Sequence, residues 1–152
     1  MILSILVGAA MIIATTLIHA GFMMAGLGDL RERVRKRRSS AASWRPAFVL
    51  SLFVLWMFLA AVVEVWLWSA LYLLLGVFDA LEIAVYFSTV TFTTLGYGDV
   101  VLTPPFRLLS SFQAVNGLIL FGWTTALVFA VVQWLYKDDR AVGEHAMRPP
   151  GP

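Results

Sequence analysis

The chain has 152 residues, of which 61% are hydrophobic and 13% are charged, and its formal net charge is +2. Because roughly 25% of the residues in a soluble domain are charged, this composition excludes an ordinary soluble protein and favours one embedded in a lipid bilayer. The lack of cysteine excludes disulfides, thiolate metal sites and cysteine nucleophiles.

The first predicted element is a membrane-spanning helix over residues 1–28. Residues 1–27 carry no formal charge, and about 20 apolar residues suffice to cross a hydrocarbon core about 30 Å thick. A cleaved signal peptide is the alternative, but such a peptide begins with positive charge and has a short apolar core. Here a long uncharged run comes before the positive residues. We therefore expect a permanent transmembrane helix.

A basic stretch follows over residues 29–45 and holds seven of the chain's eleven Lys and Arg residues. The positive-inside rule places such a loop in the cytoplasm, so the N-terminus is expected outside. Nucleic acid is the alternative partner of a basic run, but no aromatic residues are interleaved with these charges, and no nucleic acid is expected to bind. Anionic lipid headgroups are the expected partner, at Arg31, Arg33, Arg35, Lys36, Arg37 and Arg38.

A second span, the outer helix, is predicted over residues 46–78, in which Glu64 is the charged residue within the apolar run. Glu64 and the first-span His19 are functional candidates, since ionisable residues inside a membrane usually have a role. His19 is expected about nine residues from the inner loop and Glu64 about eighteen, which at 1.5 Å per residue separates them by roughly 13 Å. We therefore expect that they do not pair.

Each of these two residues has a functional and a plainer interpretation. His19 could sense pH near neutrality or be a neutral, hydrogen-bonded packing residue. Glu64 comes just before Trp66, Trp68 and Tyr72, which could form an aromatic belt at the outer interface. In that case Glu64 would simply reach headgroups or water.

The next apolar segment, residues 80–95, is only about 16 residues long and is marginal for crossing a bilayer. Asp79 and Glu82 stand three residues apart and resemble an acidic capping box, which predicts a short pore helix over residues 79–93. A helix that stops at mid-membrane depth leaves backbone carbonyls free, which is tolerated only where they are buried in protein or line a watery cavity. The segment is therefore expected to be re-entrant.

Residues 93–99 read TTLGYGD. A row of carbonyls that all point one way requires alternating backbone handedness, and Gly96 and Gly98 supply it without steric cost. Four such chains around an axis would form oxygen rings that replace the water shell of a dehydrated cation, with the Thr94 hydroxyl in the lowest ring. A phosphate-binding loop is the alternative, but that loop follows a strand and opens a helix, whereas this one closes a membrane-buried helix.

The TTLGYGD motif resembles the filter signature of the potassium-channel family. The likeness extends over residues 79–99, as pore helix and filter (residues 94–99), and over residues 106–136 as the inner helix. It implies an all-α membrane protein with three transmembrane helices, a re-entrant pore helix and a selectivity filter, in the tetrameric potassium-channel pore fold. By position, the main-chain carbonyls of the filter would bind K⁺, at Thr94, Leu95, Gly96, Tyr97 and Gly98.

The same resemblance assigns supporting roles beside the filter. Tyr97 would point away from the axis and brace the filter, and Asp99 would cap its outer mouth. Leu95 stands where valine is usual in the family, and its main-chain carbonyl would still bind the ion. Val90 stands where some relatives carry a glutamate that partners the aspartate, so Asp99 needs another donor, for which Tyr86 is the candidate.

The third span is the predicted inner helix, residues 105–136, and Pro104 and Pro105 suit its start. One face of this helix is the candidate cavity lining or gate, although ordinary packing is the alternative for each member. Gly117 is a candidate hinge, or, like Gly122, a small residue that permits close helix contact. Gln113 and Asn116 can form hydrogen bonds across helices. The cavity and gate candidates are Ala114, Gly117, Leu118, Phe121, Thr125 and Phe129.

Together these features predict a potassium-selective channel that conducts K⁺ passively as a homotetramer, because one filter copy per chain requires four chains with cyclic symmetry. It would be a multi-pass protein of the plasma or inner membrane, with residues 46–136 as the pore domain and residues 137–152 as a short cytoplasmic tail. The first span lacks the arginine array of a voltage sensor. It has no place in the minimal two-helix pore that the resemblance implies, so we expect it at the periphery, packed against the second span.

Three other functions are weighed against this one. A weakly selective monovalent cation channel and a non-conducting subunit that modifies a partner channel would keep the same pore fold. An enzyme is not expected, because the histidines are His19 and His145 and no carboxylates are paired on one helix. No cofactor is expected apart from K⁺ as the permeant ion.

Overall fold

All regular structure in the described part of the chain is α-helical. The computed structural model describes the backbone of residues 2–39 and 46–146, and the side chains of residues 2–32 and 47–134. Three stretches are long and apolar enough to cross a membrane, Ile2–Glu32, Ala47–Leu74 and Arg107–Trp134. The predicted all-α membrane fold is therefore confirmed. The helices are α1 (Ile2–Ser39), α2 (Pro46–Leu74), α3 (Leu81–Phe92) and α4 (Arg107–Ala146).

The second helix, α2, and the fourth, α4, each contact all three of the other helices. The first helix contacts α2 and α4, and the short α3 also contacts α2 and α4. Two clusters of buried apolar side chains hold these contacts together. The cluster around α3 consists of Val65, Trp68, Tyr72, Phe87, Phe92, Leu102, Leu109 and Leu120. The second cluster consists of Leu30, Phe53, Met57, Ala60 and Val131.

Helix α1 packs against the second span, as expected, and also against the inner helix. Besides its contact with α2, it is hydrogen-bonded to the inner helix α4 and to the turn before it. The Ser4 hydroxyl donates to the Pro105 carbonyl at 2.9 Å, and the Asn116 amide donates to the Thr15 hydroxyl at 2.7 Å. These contacts make α1 an integral part of the bundle.

The basic stretch expected as a loop over residues 29–45 is in large part helical, since α1 continues to Ser39. Arg and Lys are good helix formers, so the run of positive charge does not end the helix. Five of the six side chains expected to contact lipid headgroups lie outside the described residues. They are those of Arg33, Arg35, Lys36, Arg37 and Arg38. The side chains of the predicted tail, including His145, are also outside the described residues.

The continuation of α1 explains why one expectation about the buried ionisable residues was wrong. His19 Nδ1 and Glu64 Oε1 are 2.8 Å apart and form a buried pair. His19 lies near the middle of α1 (Ile2–Ser39), and Glu64 lies in the second half of α2 (Pro46–Leu74). Because α1 continues to Ser39 and α2 begins at Pro46, the two residues lie at similar distances from these helix ends and reach nearly the same depth.

Two helices begin later than the sequence predicted. Helix α3 begins at Leu81 with the extended residue Ala80 as its N-cap and no side-chain capping bond, so Asp79 does not form a capping box. Helix α4 begins at Arg107, whereas its start was expected at residue 105. The two prolines instead lie in a turn closed by the Phe106 amide, which donates to the Thr103 carbonyl at 3.0 Å.

Candidate ion-conducting site

The filter backbone alternates between left-handed and ordinary conformations. Thr94, Gly96 and Gly98 have φ values of 61°, 56° and 81°, whereas Leu95 and Tyr97 between them are not in the positive-φ region. The glycines adopt this conformation freely, but a β-branched residue with positive φ is a genuine outlier. The spacing of the glycines predicted the alternation at two positions, and the structure extends it by one more position, to Thr94.

The end of α3 fixes where the filter begins. The Thr93 amide donates to the Thr89 carbonyl at 3.0 Å, and the amides of Leu95 and Gly96 both donate to the Val90 carbonyl, at 3.0 and 3.3 Å. These bonds satisfy carbonyls of the last helical turn and lead the chain out of the helix at Thr94. The negative end of the α3 dipole therefore lies next to the first residue of the filter.

The far end of the filter is tied to α3 through Asp99. The Tyr86 hydroxyl donates to the Asp99 carboxylate, Oη to Oδ2, at 2.6 Å. This hydrogen bond lowers the pKa of Asp99 and raises the pKa of Tyr86, because it favours the ionised carboxylate and the protonated phenol. The hydrogen bond suggested by the sequence, in a chain with Val90 in place of glutamate, is thus present.

The filter and the candidate cavity face are exposed together in the single chain. Leu95 is 58% exposed and Tyr97 is 68% exposed, although both side chains are large. Ala114 is half-buried and lines a groove beside the filter. The residues predicted at helical spacing therefore lie on a surface that continues from the filter along α4. Its exposed members on α4 are Leu118, Phe121, Thr125 and Phe129.

Gly117 lies against the end of α3. A Cβ atom at this position would overlap the carbonyl oxygen of Phe92, so the close approach of α4 to α3 requires glycine here. This contact supports the interpretation of Gly117 as a small packing residue, and its role as a hinge remains a prediction. A Cβ atom at Gly122 would meet nothing within 4 Å in the described part of the chain.

A buried hydrogen-bond network joins α2, α3 and α4. The Tyr72 hydroxyl donates to Gln113 Oε1 at 2.8 Å, and Gln113 Nε2 donates to the Ser88 hydroxyl at 2.6 Å and to the Ser88 carbonyl at 3.2 Å. The cross-helix role expected of Gln113 is therefore observed. The sequence did not identify its partners, and Tyr72 and Trp68 are fully buried rather than part of an interfacial belt. The presence of a serine in a largely apolar helix could have indicated Ser88 as a hydrogen-bonding partner.

Comparison with known proteins identifies the family. The sequence matches the family described as ion channel over residues 48–133, which is more than half of the chain. The matched region contains nearly all of α2, the whole of α3, the filter and most of α4. A search of curated proteins and a search of solved structures found no match to the chain. The family match and the three apolar helices lead to the same conclusion: the chain is a multi-pass membrane protein and belongs to the ion channel family.

Proposed function

We propose that this chain is a potassium-selective channel that conducts K⁺ passively across the membrane as a homotetramer. The observation that carries the proposal is the backbone alternation, with positive φ at Thr94, Gly96 and Gly98 and not at the residues between them. Alternating handedness is the condition for successive carbonyls to point to one side of an extended chain. Rings of such carbonyls replace the hydration shell of K⁺ in selective filters.

The ion would be held by oxygen atoms of the filter. The carbonyls of residues 94–98 and the Thr94 hydroxyl supply uncharged oxygen ligands, which suit a dehydrated monovalent cation. The negative C-terminal end of α3 lies next to Thr94 and favours a cation in the space below the filter. The Tyr86 hydrogen bond to Asp99 supports the opposite end of the filter.

The proposed tetramer supplies the parts of the oxygen rings that one chain lacks. A single filter strand leaves large side chains such as Leu95 and Tyr97 facing open space. Four copies around an axis would complete the oxygen rings and cover these side chains. The exposed face of α4, from Leu118 to Phe129, would then line the cavity below the filter.

The orientation rests on the distribution of positive charge. The basic run after the first span favours the cytoplasmic side of the cell membrane, so the filter would face outward and the basic residues would contact anionic headgroups. In this arrangement K⁺ passes between the filter, the cavity and the inner end of α4, down its electrochemical gradient.

The test is ion flux into liposomes that contain only the purified chain, with K⁺ and Na⁺ compared and Ba²⁺ added as a blocker. We expect flux that prefers K⁺, is blocked by Ba²⁺ and is lost in Gly96→Ala, because alanine is strained at a φ of 56°. The matched control is Gly21→Ala, a glycine of α1 at which a Cβ atom meets nothing within 4 Å in the described part of the chain.

Each alternative function predicts a different result in this assay. Equal Na⁺ and K⁺ flux would identify a weakly selective cation channel and contradict the selectivity claim. A verified tetramer that conducts no ion under any condition tested, but changes the current of a co-reconstituted channel, would identify a modifying subunit.

A further inference from the structure

A second cluster of functional side chains lies away from the filter, where α1, α2 and α4 meet. His19 Nδ1 lies 2.8 Å from Glu64 Oε1, and His19 Nε2 lies 3.0 Å from the Thr124 hydroxyl. His19 and Glu64 are almost completely buried, at 1% and 0% exposure. One imidazole thus connects a carboxyl group on α2 to a hydroxyl on the inner helix.

The groups around this cluster determine what charge it can carry. From α1 the titratable group is His19 itself, and from α2 it is Glu64. From α4 the contacts are the Thr124 hydroxyl and the ring of Trp123, whose centroid lies 5.8 Å from that of His19, and neither titrates in the ordinary pH range. Among the described helices, α3 does not contact α1. The charge of the cluster in this part of the chain is therefore set by His19 and Glu64.

A negative charge on this cluster would be poorly compensated. Glu64 Oε2 is buried and has no hydrogen-bond partner among the described residues, so the carboxyl group makes a single hydrogen bond there, to His19. An isolated carboxylate in the hydrocarbon region is costly, whereas a carboxylate paired with a cation, or a neutral carboxyl group, is tolerated. The Trp123 ring is within the roughly 6 Å at which an aromatic ring favours a neighbouring cation. One additional proton makes the pair neutral.

We propose that His19, Glu64 and Thr124 form a buried proton-binding site that couples α1 to the inner helix. At neutral pH the His19 imidazole and the Glu64 carboxyl group together hold one proton more than a neutral imidazole beside a carboxylate. The net charge of the site is then zero. This proton comes from bulk water and returns to it. Its binding changes no bond other than the N–H or O–H bond that holds it.

The link to the inner helix follows from the two imidazole nitrogens. When the imidazole is protonated on both, Nδ1–H donates to Glu64 and Nε2–H donates to the Thr124 hydroxyl. When the extra proton is lost and Nδ1–H still donates to the carboxylate, Nε2 has no hydrogen and can only accept a hydrogen bond from Thr124. Loss of the proton therefore reverses the α1–α4 hydrogen bond and leaves a buried net charge beside α4.

The first experiment counts the protons without requiring ion conduction. The chain has two histidines, so a His145→Asn background leaves His19 as the only one, and its imidazole nitrogens and the Glu64 carboxyl carbon are followed by NMR in liposomes at neutral pH. We expect either a doubly protonated imidazole beside a carboxylate or a neutral imidazole beside a protonated carboxyl group. A neutral imidazole beside a carboxylate would overturn the proposal.

The same spectra test the contact with the inner helix. Thr124→Val removes the hydroxyl, and we expect it to shift the Nε2 resonance while the site keeps its proton count. Ser69→Ala is the matched control, since the Ser69 hydroxyl is buried on α2 but donates to the Val65 carbonyl of its own helix at 2.8 Å. An Nε2 resonance that is unchanged in Thr124→Val would overturn the coupling.

A flux experiment tests the consequence for conduction, and this arm alone rests on the proposed function. In the liposome assay we expect the wild-type flux to change as the pH is raised above neutrality and the site loses its extra proton, and this change to be lost in His19→Gln and in Thr124→Val but kept in Ser69→Ala. A wild-type flux that does not change with pH, or a pH dependence that survives in either variant, would overturn the coupling to conduction. A wild-type chain that does not conduct at any pH would contradict the proposed function, while the NMR result would stand.

Discussion

Thr94 is the residue at which the filter departs most clearly from ordinary backbone geometry. Its φ of 61° is a conformation that β-branched residues rarely adopt, and such strain costs on the order of 1–3 kcal/mol. The amide of Thr94 donates to the Thr91 carbonyl and the next amide donates to Val90, which helps to hold it. Strain retained at this position supports the proposed role of the Thr94 hydroxyl and carbonyl as ligands of the ion.

A pH-dependent prediction belongs to Asp99. Its pKa is lowered by the Tyr86 hydroxyl, so the stability from this contact is present above the ordinary pKa of aspartate and is lost as the pH falls through the lowered value. Tyr86→Phe removes the donor, and we expect the carboxyl group of Asp99 to titrate at a higher pH. The measurement is the carboxyl carbon shift of Asp99 as a function of pH by NMR. Superimposable titration curves for wild type and Tyr86→Phe would contradict the role given to this hydrogen bond.

Gly117 carries a prediction about packing. Gly117→Ala would place a methyl group against the Phe92 carbonyl oxygen. Neither group can move away by rotation of a side chain, so one helix must move. Forcing extra volume into a packed site costs typically about 1–3 kcal/mol. We expect a lower thermal unfolding temperature for Gly117→Ala than for Gly122→Ala, where a Cβ atom meets nothing within 4 Å in the described part of one chain. Equal unfolding temperatures for the two variants would show that the close approach is not needed.

At the scale of helices, Gln113 is the residue through which α2, α3 and α4 are joined. Gln113→Leu keeps much of the side-chain volume but leaves the Tyr72 hydroxyl and the Ser88 hydroxyl without this partner. Because an unsatisfied buried polar group costs about 1–3 kcal/mol, we expect a destabilisation of that order, measured by thermal or chemical unfolding in detergent.

Two further measurements test whether the destabilisation by Gln113→Leu arises from the network between helices. Its destabilisation should exceed that of Ser69→Ala, because the Ser69 hydroxyl bonds to a carbonyl of its own helix. It should also be smaller in a chain that already carries Tyr72→Phe, since one of the two unsatisfied groups is then absent. Strictly additive effects of the two substitutions would contradict a shared network.

The helices and the backbone alternation after α3 could be predicted from the sequence because their signals are local. Uncharged length identified three spans, and glycines at alternate positions identified the backbone alternation at Gly96 and Gly98. The spacing of Ala114, Leu118 and Thr125 likewise predicted a shared face of α4. These features depend on residues that are near neighbours in the chain.

The contacts between distant segments could not be predicted in the same way. The His19–Glu64 pair was missed because its depth was counted from the start of the basic run, whereas α1 continues to Ser39. The Thr15–Asn116 bond requires α1 to pack on α4, which no local pattern specifies. At Asp79 a capping pattern was present, but the helix begins later, after Ala80.

At the scale of the whole molecule, the proposed ion site requires more than one chain. The face of α4 from Leu118 to Phe129 is exposed, and residues 94–98 of one chain supply one quarter of each proposed oxygen ring. We expect the purified chain to form a tetramer, measured by native mass spectrometry from detergent micelles. A predominant monomer, dimer or trimer would contradict the proposed assembly, since only four copies provide the fourfold oxygen rings.

The most direct test of potassium selectivity is the reversal potential of the purified chain in a planar bilayer, with K⁺ on one side and an equal concentration of Na⁺ on the other. We predict a current that reverses far from zero, at the sign expected when K⁺ is the permeant ion, and that is absent in Gly96→Ala. A wild-type current that reverses at zero would show that the filter passes both ions equally, and would contradict the account of a potassium-selective channel.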